Sequence, residues 1–165
     1  KMAWTGPSVD EKDWHAAPVP ACWETMGLRE YDGFGWYRVR FSVPPGLRDK
    51  QLVLVLGRID DIDEAYINGE RIGRTGTMDT QRGLSDFDQE YRELRSYTIP
   101  RNLLHGEDNV LAVRVYDGFK HGGIYDGPIG IATRDRYRKW KDGQEGRWNF
   151  FDFFHASRTK FKYEG

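Results

Sequence analysis

"NVLAVRVYD", residues 109–117, is the stretch on which the fold turns. Leu111, Val113 and Val115 alternate with Ala112, Arg114 and Tyr116, the two-residue period of a strand with one apolar face. Upstream, "WYRVRFSV" (36–43) repeats the pattern. It places Tyr37, Val39, Phe41 and Val43 on one face and Trp36, Arg38, Arg40 and Ser42 on the other, so a half-buried strand is expected. "QLVLVLG" (51–57) is apolar on both faces, as a central strand would be. Asn68-Gly69 inside "DEAYINGERIG" (63–73) signals a hairpin between Ala65/Ile67 and Ile72.

"LRSYTI" (94–99) and "PIGIA" (128–132) complete the strand series, and "IPRNLLHGEDN" allows one short helical turn at most. Short strands at regular spacing, with almost no helix signal, predict an all-β domain, an antiparallel β-sandwich. Val39, Phe41, Leu54, Ile67, Val113 and Val115 are its expected core. The polar stretch from Arg74 to Glu90 has no period and reads as a long loop, a place where function often resides.

After Thr133 the sequence turns basic and then aromatic, with Trp148, Phe150, Phe151, Phe153 and Phe154 close together. The expected division is a sandwich over 1–133 and a C-terminal aromatic appendage over 134–165. The appendage either packs on an open edge or face of the sandwich or docks a neighbouring domain. Phe150, Phe151 and Phe154 would share one face if it were helical.

A length of 165 residues fits one ordinary domain with a real core. With 25 basic and 26 acidic residues the chain has no global field to draw it to nucleic acid or an anionic membrane, so neither is an expected partner. No apolar run approaches a membrane span. Cys22 is the single cysteine, so no internal disulfide forms and the redox compartment stays open. "KMAWTGPSVD" lacks an apolar signal-peptide core; the expected location of the parent protein is nevertheless secreted or periplasmic. The 15% aromatic share and 19 glycines suit a β-rich domain with aromatic surfaces.

Three blocks carry a family resemblance: "VPACWETMGLREYDGFGWYRVRFSVP" (19–44), "LVLVLGRIDDIDEAYINGERIGRTG" (52–76) and "YTIPRNLLHGEDNVLAVRVYDGFKHGGIYDGPIGI" (97–131). Together, over residues 14–133, they resemble the sugar-binding, galactose-binding-like jelly-roll domain of family-2 glycoside hydrolases. The version accompanying sialate O-acetylesterases is especially similar. The resemblance implies a jelly-roll sandwich whose catalytic machinery lies in other domains. The aromatic C-terminal segment departs from that pattern.

The residues agree that this chain is not itself an enzyme. It has no room for a (β/α)₈ barrel and no Gly-x-Ser-x-Gly elbow. His15, His105, His121 and His155 show no metal-ligand spacing. Asp60-Asp61 invites reading as a glycosidase dyad, but such a dyad spans a sugar ring, a separation adjacent residues do not ensure.

Asp60, Asp61 and Asp63 leave two readings. They could gather a structural Ca²⁺ through carboxylates, although the glycine and distal Glu of an EF-hand loop are missing. The resemblance implies instead that they fix the start of a strand through backbone amides and a neighbouring Arg. On that reading no metal and no cofactor is expected.

The connection after the decisive strand, "VYDGFKHGGIYDGP", reads as a long glycine-rich loop rich in sugar-binding side-chain types. Tyr116, Phe119 and Tyr125 could stack on a pyranose, and Asp117, His121 and Asp126 could take hydroxyls. "WETMGLREYDGF" adds Trp23, Glu24, Tyr31, Asp32 and Phe34, expected at the same end. The resemblance implies that the matching loop reaches toward the active site of a catalytic domain. The expected carbohydrate-binding residues are therefore Glu24, Tyr31, Asp32, Phe34, Asp117, Phe119, His121, Tyr125 and Asp126.

The expected function is a non-catalytic carbohydrate-binding module, attached to or cut from a glycan-degrading enzyme, with carbohydrate and the catalytic domain of that parent enzyme as partners. The alternative is an accessory domain that braces the catalytic domain of a glycoside hydrolase or carbohydrate esterase and has no sugar affinity of its own.

Overall fold

A computed structural model describes residues 2–78, 89–143 and 150–165. Most of the Arg74–Glu90 stretch read as a long loop, and Trp148, lie outside the described residues. The chain forms an antiparallel β-sandwich, as its alternation predicts. One sheet contains β1 (His15–Ala16), β2 (Gly33–Phe41), β4 (Ile62–Ile67), β5 (Glu70–Thr75), β7 (Asn109–Asp117) and β9 (Lys160–Tyr163), in the order β1-β9-β2-β7-β4-β5. The other contains β3 (Leu52–Asp60), β6 (Arg95–Ile99) and β8 (Gly123–Thr133), in the order β6-β3-β8.

The alternating residues meet in one core. Tyr37, Val39 and Phe41 of β2, Leu111, Val113 and Val115 of β7, and Ala65 and Ile67 of β4 pack with Leu52, Leu54 and Leu56 of β3 and Ile99 of β6. All six expected core residues are buried. The hairpin forms at Asn68-Gly69, where both residues take positive φ (51° and 94°), the requirement of a tight two-residue turn. Gly57 sits at a bulge in β3 with φ +62°; a Cβ there would fall 1.8 Å from the Asp126 carbonyl oxygen on β8. The two strands approach this closely only because the residue is glycine.

Three expectations need correction. β2 is buried on both faces from Gly35 to Val39, with Trp36 and Arg38 each 0% exposed, while Arg40 on the outward face stays exposed as expected. The N-terminal segment covers its outer face. Arg38 donates to Glu11 Oε1 (3.0 Å), Gly6 O (3.0 Å) and Trp4 O, while Trp4 packs edge-on against Trp14 and Trp36. Each nitrogen of this buried guanidinium donates a hydrogen bond, one of them to a carboxylate, which makes its burial tolerable.

The last sandwich strand also starts earlier than "PIGIA". β8 begins at Gly123, so Tyr125 and Asp126 lie on a strand and the loop shrinks to 118–122.

Finally, the described part of the aromatic tail, 150–165, contains no helix. The helix of the appendage, α1 (Arg134–Lys141), lies in the basic part and is capped by Thr133 Oγ1 accepting from Arg136 N–H (3.3 Å). Phe151 exchanges two 3.0 Å backbone bonds with Ile131 on β8. Phe153 and Phe154 enter the core, and β9 then pairs with both β2 and β1. No helix among the described residues is long and apolar enough to cross a membrane.

Candidate functional site

Strand register gathers four strand ends at one end of the sandwich. β2 starts at Gly33 opposite Asp117, where β7 stops, and β3 stops at Asp60 opposite Gly123, where β8 starts. A 3₁₀ turn, Trp23–Met26, closes over this end. Trp23 N–H donates to Gly122 O (2.9 Å) and Ala21 N–H to Ile124 O (2.8 Å). The Trp23 indole is buried and donates through Nε1 to the Tyr37 hydroxyl (2.8 Å). A Cβ on Gly122 would lie 2.3 Å from the indole and 2.8 Å from Asp117 Oδ2, so only glycine lets the loop rest there.

Acids converge at this end. Asp60, Asp61 and Asp117 each offer a carboxylate oxygen within 4.8 Å of the others. Asp61 Oδ2 accepts the Gly118 N–H (3.0 Å) and Asp117 Oδ1 accepts the Phe119 N–H (3.1 Å), which ties the loop after β7 to the β3–β4 junction. Asp117 is fully buried, yet its Oδ2 has no hydrogen-bond partner, and the same holds for both carboxylate oxygens of Glu24.

The electrostatics follow from this crowding. Burial, then the hydrogen bond and charge of Asp61, with Asp117 and Glu24 behind it, push Asp60 up to about 8. Asp117 is pushed up to about 6, chiefly by burial, with the Phe119 N–H pulling down and Asp61, Asp32 and Glu24 pushing up.

A pH dependence follows. Both groups hold protons in the native state that an unfolded Asp, with a pKa of about 3.9, has released. Their contribution to stability is therefore full below about pH 4 and is lost as pH rises through about 6 and then about 8. In EDTA-treated protein the urea midpoint should fall across this window, and Asp60→Asn should flatten its upper part, between about 6 and 8. A midpoint that rises from pH 5 to 8, by about the usual carboxylate trend, would count against this account.

The structure distributes the predicted sugar-binding residues unevenly. Glu24 and Asp117 lie in the acidic cluster, and the exposed Asp32 is close enough to act on Asp117 electrostatically. Phe119 stands 69% exposed at the loop tip, with Lys120 Nζ 4.9 Å from its ring, and His121 beside it is exposed. Phe34 is half-buried beneath the Arg114 guanidinium (3.9 Å) and against Tyr116 (4.8 Å).

The others are engaged internally. The Tyr31 hydroxyl donates to Phe34 O (3.0 Å) and Glu164 O (3.2 Å), and the Tyr125 hydroxyl to Tyr91 O (2.6 Å). Asp126 pairs with Arg58 (2.9 Å).

The acids of "DDID" part company. Asp63 turns into the sandwich, where it is fully buried against Arg95 Nε (2.8 Å) and the Tyr97 hydroxyl (2.7 Å). It takes no part in the acidic cluster, whose third member is Asp117. Asp60 and Asp61 belong to the site although sequence reasoning did not assign them to sugar contact. The signal that could have found them is strand order, which brings the β3–β4 junction beside the end of β7.

At the other end of β2 and β7, roughly 26 Å away at about 3.3 Å per strand residue, lies a groove of about 590 Å³ lined by Arg40, Val43, Arg48, Asp108, Phe151 and Arg158. Arg48 there is bound to the carbonyls of Val43 and Gly106, and Arg40 to that of Pro7. The groove thus spends two of its cations on backbone, whereas the acidic end keeps unpaired oxygens beside an exposed ring.

No protein-family model matches the chain, and no curated protein does. Solved structures do. Bacteroides uniformis β-glucuronidase aligns at 25% identity and a TM-score of 0.61, over 76% of this chain and 15% of that one. A β-glycosidase from Bacteroides vulgatus aligns at 18% identity and 0.61, over 80% and 18%. A β-glucuronidase from glycoside hydrolase family 2 aligns at 20% identity and 0.54, over 70% and 12%. The fold is therefore shared with a domain-sized part of such glycosidases, and the chain spans less than a fifth of each enzyme's length.

Proposed function

We propose, from a sandwich shared with part of family-2 glycosidases, that this is a non-catalytic carbohydrate-binding domain of a glycan-degrading enzyme. The observation that carries the reading is the exposed Phe119 ring at the loop tip, with the exposed polar side chains of His121 beside it and of Asp32 at the same end of the sandwich. An aromatic face and nearby acceptors complement the apolar face and hydroxyls of a pyranose. The likeness to β-glucuronidases favours a glycosidase as parent over a sialate O-acetylesterase-like enzyme.

Phe119→Ala is expected to weaken glycan binding several-fold, on the order of 1 kcal/mol, with Tm unchanged because the ring buries little. Tyr125→Ala is the poorer probe, since its hydroxyl holds the Tyr91 carbonyl. Affinity gels and calorimetry against uronic-acid-containing and neutral glycans test both. A second reading, an accessory domain that braces a catalytic domain, is favoured by the engagement of Tyr31, Tyr125 and Asp126 within the chain, which takes three of the expected sugar contacts. Full stability with no affinity for any glycan would establish it in place of the first.

A further inference from the structure

We propose that Asp60, Asp61 and Asp117, with Glu24 beside them, hold a calcium ion that ties the β3–β4 junction to the loop bearing Phe119. The donors are all carboxylate oxygens, hard ligands that suit Ca²⁺ or Mg²⁺ and disfavour thiolate- or imidazole-seeking metals. Their mutual spacing, within 4.8 Å, is what Ca²⁺ bridges with bonds of about 2.3–2.6 Å, whereas Mg²⁺ demands a tighter octahedron at about 2.0–2.1 Å.

Two further observations point to a ligand. Asp117 is fully buried with one oxygen unpartnered, and the adjacent Glu24 has both of its oxygens buried and unpartnered. A buried acceptor without a donor is costly, and several buried carboxylates together more so, unless a cation completes them. Among the described residues no Lys or Arg side chain is paired with Asp60, Asp61 or Asp117. Arg95, the nearest guanidinium by hydrogen bonding, reaches only the Asp61 carbonyl (2.6 Å) and spends its side-chain pairing on Asp63.

The consequence is mechanical. Gly118 and Phe119 already hang from Asp61 and Asp117 through their N–H groups. An ion held by the same carboxylates fixes the loop from beneath and leaves Phe119 projecting outward. This site stands on its own geometry and does not require that Phe119 touch a sugar.

The test uses the full chain stripped with EDTA near neutral pH. Added CaCl₂ should raise Tm by about 5–10 °C at a concentration about 100-fold above its Kd, and MgCl₂ at the same concentration should do less. Tb³⁺, a Ca²⁺ substitute, should show emission sensitised through Trp23, whose ring lies against the same Gly122 position as Asp117 Oδ2. Asp60→Asn, at the most exposed of the three ligands, should fold and lose at least tenfold in Ca²⁺ affinity by calorimetry, with the Tb³⁺ signal falling in parallel. The proposal is overturned if the unsubstituted chain shows neither a Ca²⁺-dependent Tm nor sensitised Tb³⁺ emission. It is equally overturned if Asp60→Asn and Asp117→Asn respond as the unsubstituted chain does.

Discussion

Arg95→Ala should destabilise the fold by about 3–5 kcal/mol, the usual loss when one partner of a buried ion pair is removed. Arg95 is 1% exposed, and its guanidinium serves four acceptors: Asp63 Oδ1 (2.8 Å) and the carbonyls of Asp61 (2.6 Å), Glu93 (2.8 Å) and Glu90. Alanine would leave Asp63 at zero exposure with only the Tyr97 hydroxyl for company, together with unpaired carbonyls. Burial already pushes the Asp63 pKa up against the pull of Arg95, so the orphaned carboxyl would take a proton, which caps the loss. Arg95→Lys should recover only part of it, because one ammonium cannot reproduce a planar fork that reaches four acceptors. Replacing both partners, Arg95→Met with Asp63→Leu, should recover only the part of the loss that comes from the orphaned carboxyl, since the carbonyls of Asp61, Glu90 and Glu93 stay unpaired without a guanidinium. Urea midpoints of the four proteins measure this; a loss below about 1 kcal/mol for Arg95→Ala would refute the account.

The second large effect is expected far from that pair. Phe153→Ala should cost about 3–5 kcal/mol, the range for deleting a fully buried aromatic ring. Phe153 is 0% exposed, stacks on Phe41 of β2 (4.9 Å between centroids, 11° between planes) and touches Phe154 (5.0 Å) and Phe151 (5.6 Å). If the tail only brushed the sandwich, its removal would be nearly neutral. Here its loss would empty part of the core and strip β9 from β2, leaving an unpaired strand edge prone to association. Thermal melts of Phe153→Ala beside Phe119→Ala make the comparison within one residue type, a core ring against a surface ring. Equal Tm values for the two would sink the assignment.

Sequence alone determined what local period and turn chemistry control. The alternation of Leu111, Val113 and Val115, the two-sided apolar run at 52–56 and the Asn68-Gly69 turn were all legible, because strand faces repeat every two residues and a tight hairpin demands positive φ. Glu24, Asp117 and Phe119 were legible as site candidates for a similar reason, since they flank glycine-rich turns at strand ends. Tertiary structure decided the rest. Nothing in the period of β2 announces that Trp36 and Arg38 will be roofed by Trp4, Trp14 and Glu11, and nothing in Phe150 to Phe154 announces a strand docking beside Gly35. Asp60, Asp61 and Asp63 are near neighbours in sequence, yet strand order sends the first two to Asp117 and a single pleat turns the third inward to Arg95. Side-chain period is a property of consecutive residues. Which strand lies next to which, and which face is covered, is set by contacts between segments distant along the chain, and the acidic cluster exists only through them.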